Sequence, residues 1–232
     1  MSRFLILVLE APLLAFGCES VDWRGPVSDF PGASMLTGLL ANAFGWRRTE
    51  RDRHARLQQR LRFAARIDQE GERIRDFQTA ELAKPKSGWT TRGVPEGPKS
   101  GESTERIIRK RDYDAGKRVT VALHFEPSDE SPTLDEAAAA IQVPARPLFL
   151  GRKSCLPSRP LFEAMADADD LLTALAQMLF PAETTRVLLP ASVPAEQQDE
   201  RMFVSDLRNW RSGVHGGQRE LRLRRLRGKS ET

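Results

Sequence analysis

The run Pro147-Leu148-Phe149-Leu150-Gly151-Arg152-Lys153-Ser154-Cys155 passes from apolar residues into a glycine, two cations and a hydroxyl. That order suits the holding of a phosphate. The apolar part can anchor in a core, Gly151 lets backbone N–H groups approach an anion, and Arg152 and Lys153 add charge. A strand end leading into a solvated basic turn has the same composition, so by itself the run fits both. A second basic cluster comprises Arg109, Lys110, Arg111 and Tyr113. Strand alternation would put Arg109, Arg111 and Tyr113 on one face and Lys110 on the other.

Composition narrows the classes. The 232 residues, 40% hydrophobic, suffice for a sizeable core and predict one main domain with insertions. Lys+Arg number 36 against 32 Asp+Glu, and arginine far outnumbers lysine. Arginine suits bidentate phosphate contact and stacking on bases, although a GC-rich genome would also raise its frequency. Cys18 and Cys155 form no C-x-x-C pair, and no histidine stands at ligand spacing from another histidine or a cysteine, so neither metal nor cofactor is expected. The apolar run Phe4 to Leu9 is six residues, short of the roughly 7–15 of a signal segment and the about 20 of a membrane span. It predicts a central strand buried on both faces, in a cytoplasmic protein with reduced thiols and no membrane association.

The elements that must position these groups are legible in outline. After the first strand, prolines and glycines break the chain from Glu10 to Gly32. Ser34 is expected to cap a helix carrying Met35, Leu36, Leu39, Leu40, Ala43 and Phe44 on its apolar face, stopped at Gly45. A second, arginine-rich helix is predicted over about Arg51 to Leu61. Phe63, Ala65 and Ile67 then alternate with Arg62, Ala64, Arg66 and Asp68, the pattern of a half-buried strand, and Gly71 turns the chain into a strand from about Arg73 to Thr79. Between Lys84 and Ser103, glycines and prolines leave only Trp89 as a large apolar residue, which predicts a projecting loop or hairpin tip. Val119 to Phe125 resumes strand alternation, Thr133 and Glu136 form a capping box, and a helix is expected over Asp169 to Leu179. Further strands are predicted at Val187 to Leu189 and Arg201 to Val204. The basic tail from Arg219 fits either a loose end or a phosphate clamp, and the eight arginines from Arg47 to Arg66 fit either a solvated helix face or a groove.

This order predicts an α+β fold with helices on one face of a mainly antiparallel sheet, of which the ferredoxin-like arrangement is the commonest form. Such sheets often bind RNA, but with a single tyrosine and no RNP-type aromatic motif, binding would use loops and cations.

Four blocks in this order resemble the CasD family of type I-E CRISPR surveillance complexes, within the RAMP superfamily. They are Leu5-Ile6-Leu7-Val8-Leu9-Glu10-Ala11-Pro12-Leu13 with Phe16-Gly17; Phe30-Pro31, Ser34, Gly38-Leu39-Leu40 and Gly45; Arg75-Asp76-Phe77-Gln78-Thr79-Ala80; and Pro147 to Cys155 followed by Pro160-Leu161-Phe162. The chain departs from the family where Gly32-Ala33 replace a basic residue before Ser34, and in a longer insertion.

The resemblance implies a non-catalytic subunit that holds the 5′ handle of the CRISPR RNA. It would consist of a single ferredoxin-like (RAMP/RRM-type) domain over 1–232, with a β-hairpin thumb at about 80–114 and a C-terminal extension at about 163–232. Its implied partners are the backbone subunit CasC and the large subunit CasA, in a complex that also contains CasB and the endonuclease CasE and meets target DNA indirectly. The implied RNA-binding residues are Ser34, Arg109, Arg111, Tyr113, Arg146, Gly151, Arg152, Lys153, Ser154 and Cys155. Lys84, Lys86, Trp89, Arg92 and Lys99 would be thumb or partner contacts. The rival reading is a metal-independent endoribonuclease that processes CRISPR repeat RNA, as relatives in another subtype do with a tyrosine, histidine and lysine cluster. Such cleavage needs a base of near-neutral pKa beside the 2′-hydroxyl and a cation at the scissile phosphate, and the grouping this chain offers is Tyr113 with His124 and Lys117.

Overall fold

A computed structural model describes residues 1–18, 23–81, 106–178 and 184–227. Along the chain lie β1 (Ser2–Glu10), β2 (Leu13–Leu14), β3 (Arg24–Gly25), α1 (Ala33–Ala43), α2 (Arg51–Arg60), β4 (Leu61–Gln69), β5 (Glu72–Glu81), β6 (Arg106–Ala115) and β7 (Arg118–Phe125). There follow α3 (Leu134–Gln142), β8 (Phe162–Ala168), α4 (Leu171–Ala176), β9 (Thr184–Pro190), β10 (Glu200–Val204) and β11 (Arg219–Arg227). The main sheet has the order β10-β11-β9-β4-β7-β1-β8 and is antiparallel throughout. A smaller sheet holds β2-β6-β3, with β5 also paired to β6 along its whole length, from Glu72 opposite Ala115 to Glu81 opposite Arg106.

The first strand is central and buried on both faces, as its unbroken apolar run predicts. Leu5, Leu7 and Leu9 enter one core with Leu36, Leu39 and Leu40 of α1, Leu57 of α2 and Ile141 of α3. Phe4 and Ile6 enter a second core with Ala64, Ala122, Val187 and Leu189, covered by Leu171, Ala174 and Leu175 of α4. Helices therefore lie on both faces of the sheet, which corrects the expectation of one. The same packing corrects the reading of β4 as half-buried, because Arg66 is fully buried beneath α4. It pairs with Asp68 at 2.5 Å and donates to the carbonyls of Leu175 and Met178 at 2.6 and 3.0 Å. The orphan carbonyls at the end of α4 thus receive a guanidinium from the sheet.

Two further expectations change. Ser34 does not cap α1; the N-cap is Gly32, and it has no side-chain cap. Asp206 arrives from the far end of the chain instead, accepting from the Ala33 N–H at 2.7 Å through its carboxylate and from the Ser34 N–H at 3.0 Å through its carbonyl. The basic tail is strand β11, inserted between β10 and β9. Arg219 forms a bidentate pair with Asp206 at 2.6 Å, and Arg224 pairs with Asp199 at 2.7 and 2.8 Å. As far as residue 227, Leu221 supplies core and Arg219 and Arg224 meet carboxylates, so this part of the tail is neither loose nor a bare clamp. The Thr133/Glu136 capping box and the stop at Gly45, which adopts φ +75°, are as the sequence predicts.

At the root of the β5–β6 ladder, charges tie the small sheet to the large one. Arg73 donates to Asp114 at 2.6 Å and Asp29 at 2.9 Å, while Arg186 of β9 reaches Asp29 at 2.7 Å and Glu70 at 2.8 Å. Lys117, itself buried, sits 3.2 Å from Asp114 and 3.7 Å from Asp29. Burial pushes the Asp29 carboxyl up, but the Arg186 hydrogen bond together with the Lys117, Arg186 and Arg73 charges outweighs it and holds the pKa below the usual carboxylate range.

Candidate nucleic-acid interface

A cleft of about 370 Å³ opens between α1, the turn from Phe149 to Arg152, and the loop from Arg208 to His215. The turn is shaped by close backbone approach. Gly151 adopts φ +94°, and a Cβ there would sit 1.8 Å from the Ala15 carbonyl oxygen. Only glycine fits both the dihedral and the space. The backbone bonds from Ala15 N–H to the Leu150 carbonyl at 3.3 Å and from Leu150 N–H to the Cys155 carbonyl at 2.8 Å fix the turn against the core.

Arg152 is spent within the fold. Its guanidinium donates to the carbonyls of Asp112 at 2.7 Å and Gly25 at 2.8 Å and lies 4.7 Å from the centroid of the Tyr113 ring. It latches the turn to β6 and β3. Lys153 and Ser154, the next two residues, are exposed, whereas the Cys155 side chain is 1% exposed and belongs to the core.

The other residues singled out by sequence fall into distinct places. Ser34 lines the cleft in the first turn of α1, with its hydroxyl 3.1 Å from His215 Nε2. Arg109, Arg111 and Tyr113 do alternate along one face of β6; Arg109 and Arg111 are exposed, but Tyr113 is buried beneath Arg152. Arg146 donates to the carbonyls of Trp46 at 2.8 Å and Gly45 at 2.7 Å, closing the C-terminal end of α1. Lys84, Lys86, Trp89, Arg92 and Lys99 lie outside the described residues. Of the arginine run, Arg60 is fully buried, donating to the carbonyls of Pro127 and Pro132, and Arg56 is bound to Glu130. Arg53 lies 4.2 Å over Trp46. Much of that run therefore serves the fold.

Sequence reasoning missed the cleft's third wall. Arg208, Trp210 and His215 come from the loop after β10, and one α2 residue holds that loop. The Gln58 amide accepts from the Arg208 N–H at 3.1 Å and from Trp210 Nε1 at 3.2 Å, and donates to the Arg208 carbonyl at 3.1 Å. The Trp210 ring packs 4.7 Å from buried His54, and its edge is 3.9 Å from where a Cβ would stand at Gly38. The available signal was an arginine and a tryptophan in a short Ser/Gly loop, Arg208-Asn209-Trp210-Arg211-Ser212-Gly213. Nothing in that run indicates that it folds back onto α1.

The catalytic grouping does not assemble. Tyr113 belongs to the core under α1, whereas the His124 ring packs 5.1 Å from Phe4, on the opposite face of the main sheet. Lys117 is committed to Asp114 and Asp29. Burial pushes the His124 pKa down, with Arg62 acting in the same direction and Glu126 opposing. Among the described residues no group of three or more His, Cys, Asp or Glu side chains is placed to hold a metal ion, and no helix is long and apolar enough to cross a membrane. What the cleft offers is hydrogen-bond donors, cations and an aromatic wall, the means of gripping a polyanion with planar groups.

Known proteins share this architecture. The profile of the family described as "CRISPR-associated protein (Cas_Cas5)" matches residues 4–222. The "CRISPR system Cascade subunit CasD" of Escherichia coli (strain K12) is 31% identical over 175 residues, covering 75% of this chain and 76% of that protein. Among solved structures, a chain of a "CRISPR RNA-guided surveillance complex" superposes with a TM-score of 0.68 at 23% identity, covering 97% of this chain and 89% of that one. A second, described as "Crystal structure of Cas protein", gives a TM-score of 0.61 at 22% identity over 97% and 94%. Matched over nearly its whole described length in sequence and in fold, the chain belongs to the Cas_Cas5 family of CRISPR-associated proteins, the family of the Cascade subunit CasD.

Proposed function

We propose that this chain is a non-catalytic RNA-binding subunit of a type I-E Cascade complex, holding the 5′ handle of the CRISPR RNA in the cleft beneath Gly151–Ser154. The observation that carries this is convergence. Ser34, Gly151 and Arg152, far apart in sequence, line one cleft with Arg208 and His215, and Lys153, the residue after Arg152, is exposed. The palm of this reading is ferredoxin-like: β8-β1-β7-β4 form an antiparallel order in which α1 and α2 link β1 to β4, and α3 links β7 to β8. The thumb is the β5–β6 ladder and the segment between its strands, and its exposed Arg109 and Arg111 share the face of β6 that holds Tyr113, over which Arg152 lies.

Within the complex the chain contacts CasC and CasA, alongside CasB and CasE, and meets target DNA only through the RNA. Cys155 and Tyr113 act from within the fold, as their burial requires. Arg152 and Arg146 shape the walls. Direct phosphate contact falls to Lys153, Ser154, Ser34 and the exposed thumb arginines.

The test is binding of CRISPR repeat RNA in EDTA across a salt series. Affinity should fall steeply with salt, and Lys153→Ala should reduce the magnitude of the log–log slope by about one. Arg111→Ala should weaken assembly on the RNA while thermal unfolding stays unchanged. Salt-independent binding, or none even beside CasC, would sink the proposal; RNA cleavage lost in His124→Ala would sink its non-catalytic part.

A further inference from the structure

The β5–β6 ladder has a second face, opposite Arg109 and Arg111. Phe77 stands directly across from Lys110, and Thr79 across from Ile108. Trp23 joins them from the residue before β3, its carbonyl accepting the Lys110 N–H at 3.0 Å. The Lys110 ammonium lies 4.9 Å from the Trp23 ring centroid and 6.0 Å from that of Phe77. Neither ring is part of the core: Trp23 is 39% and Phe77 56% exposed, with Ile108 beside them at 41%.

Nearer the root, the same face is neutralised by two carboxylate–arginine pairs, Arg75 with Asp112 at 2.7 Å and Arg73 with Asp114 at 2.6 Å. Toward the tip, the exposed rings stand with a lysine between them.

We infer that Trp23, Lys110 and Phe77 form a stacking platform for an unpaired nucleobase of single-stranded nucleic acid, with Lys110 at its phosphate. Two exposed rings flanking one cation supply the two components of sequence-tolerant single-strand binding, π-faces for bases and positive charge for the backbone. Protein–protein interfaces are enriched in aromatic residues but depleted in lysine, so the cation between the rings favours nucleic acid. The inference rests on the reading of the chain as RNA-binding but uses the opposite face of the ladder from Arg109 and Arg111. The ladder would then be gripped by nucleic acid on both sides.

The experiment uses the full chain with three probes: a single-stranded repeat-sequence RNA carrying 2-aminopurine, the DNA strand of the same sequence, and blunt double-stranded RNA. Stacking should quench the 2-aminopurine in whichever single strand occupies the platform, and the two single-stranded arms decide between RNA and DNA. Trp23→Ala and Phe77→Ala should each weaken single-strand binding roughly 5- to 150-fold without altering the salt slope. Phe77→Tyr, which keeps the ring, should retain affinity, and Lys110→Ala should lower the slope by about one. Unchanged affinity and quenching in both alanine variants, with salt-dependent binding intact, overturns the platform and leaves the cleft reading standing. Loss of CasC or CasA assembly with unchanged nucleic-acid affinity also overturns it, assigning the face to protein. Absence of binding by the unmodified chain fails both readings at once.

Discussion

The Arg152 guanidinium lies over the Tyr113 ring, 4.7 Å from its centroid, while its two terminal nitrogens donate to the carbonyls of Asp112 and Gly25. One side chain thus joins the cleft turn to two strands of the small sheet, and the fork geometry is needed for both bonds. Arg152→Ala leaves two carbonyls and a buried ring without their partner and should destabilise the chain by about 1–3 kcal/mol, a fall of about 2–12 °C in Tm for a domain of this size. Arg152→Lys should recover little of this, because an ammonium cannot reach both carbonyls while covering the ring. Thermal unfolding of the two variants checks it; full recovery by lysine would show that charge alone matters.

Gly151 and Gly17 both line the cleft, yet they should respond to alanine in opposite ways. At Gly151 a Cβ meets the Ala15 backbone at 1.8 Å on top of a φ of +94°, whereas at Gly17 nothing lies within 4 Å. Gly151→Ala should cost more than about 1–3 kcal/mol, since strain and displacement add. Gly17→Ala should stay within about 0.5 kcal/mol of the parent. Chemical denaturation of the pair measures the difference.

Asp206 satisfies the start of α1 and neutralises Arg219, two tasks that two substitutions separate. Asp206→Asn keeps an acceptor for the Ala33 N–H but loses the ionic pair; Asp206→Ala loses both. Alanine should cost about 1–2 kcal/mol more than asparagine if the cap is worth what caps usually are. Equal denaturation midpoints for the two variants would assign the whole effect to the ion pair.

The closure of α1 by Asp206 also shows what a sequence withholds. Local signals sufficed for β1, for the α3 capping box and for the stop at Gly45, because each depends on neighbours in the chain. Ser34 was the reasonable cap by local rules. It lost because the helix starts at Ala33, one residue earlier, where Asp206 accepts from the Ala33 N–H through a carboxylate 173 residues away in sequence and from the Ser34 N–H through its carbonyl, and no local pattern encodes that approach. Arg66 misled in the same way: an arginine in an alternating strand reads as solvent-facing until a helix end is known to sit on it. Of the residues lining the cleft, Gly151 and Arg152 stood out by composition and Ser34 by resemblance. The Arg208–His215 wall was not, because its place depends on Gln58, contributed by another helix.

His124 makes stability depend on pH on the mildly acidic side. Its ring packs edge-on against Phe4, and burial pushes its pKa below the ordinary value. The unfolded chain then binds the proton more readily than the folded one, so stability rises with pH through the interval between the two pKa values. The contribution is fully present above about pH 6.5, the unfolded value, and diminishes as pH falls toward the lowered folded value. Asp29, Asp112 and Asp199 have lowered pKa values too, but as carboxylates they act in a separate interval: their contribution is present above about pH 4 and is lost below it. Replacing His124 with Gln, which keeps a polar side chain of comparable length but cannot titrate, should flatten the stability curve just below about pH 6.5 and leave the steeper acid limb below about pH 4 in place. Urea unfolding at closely spaced pH values resolves the two limbs, and a slope in the upper interval that survives His124→Gln would mean that another group carries it.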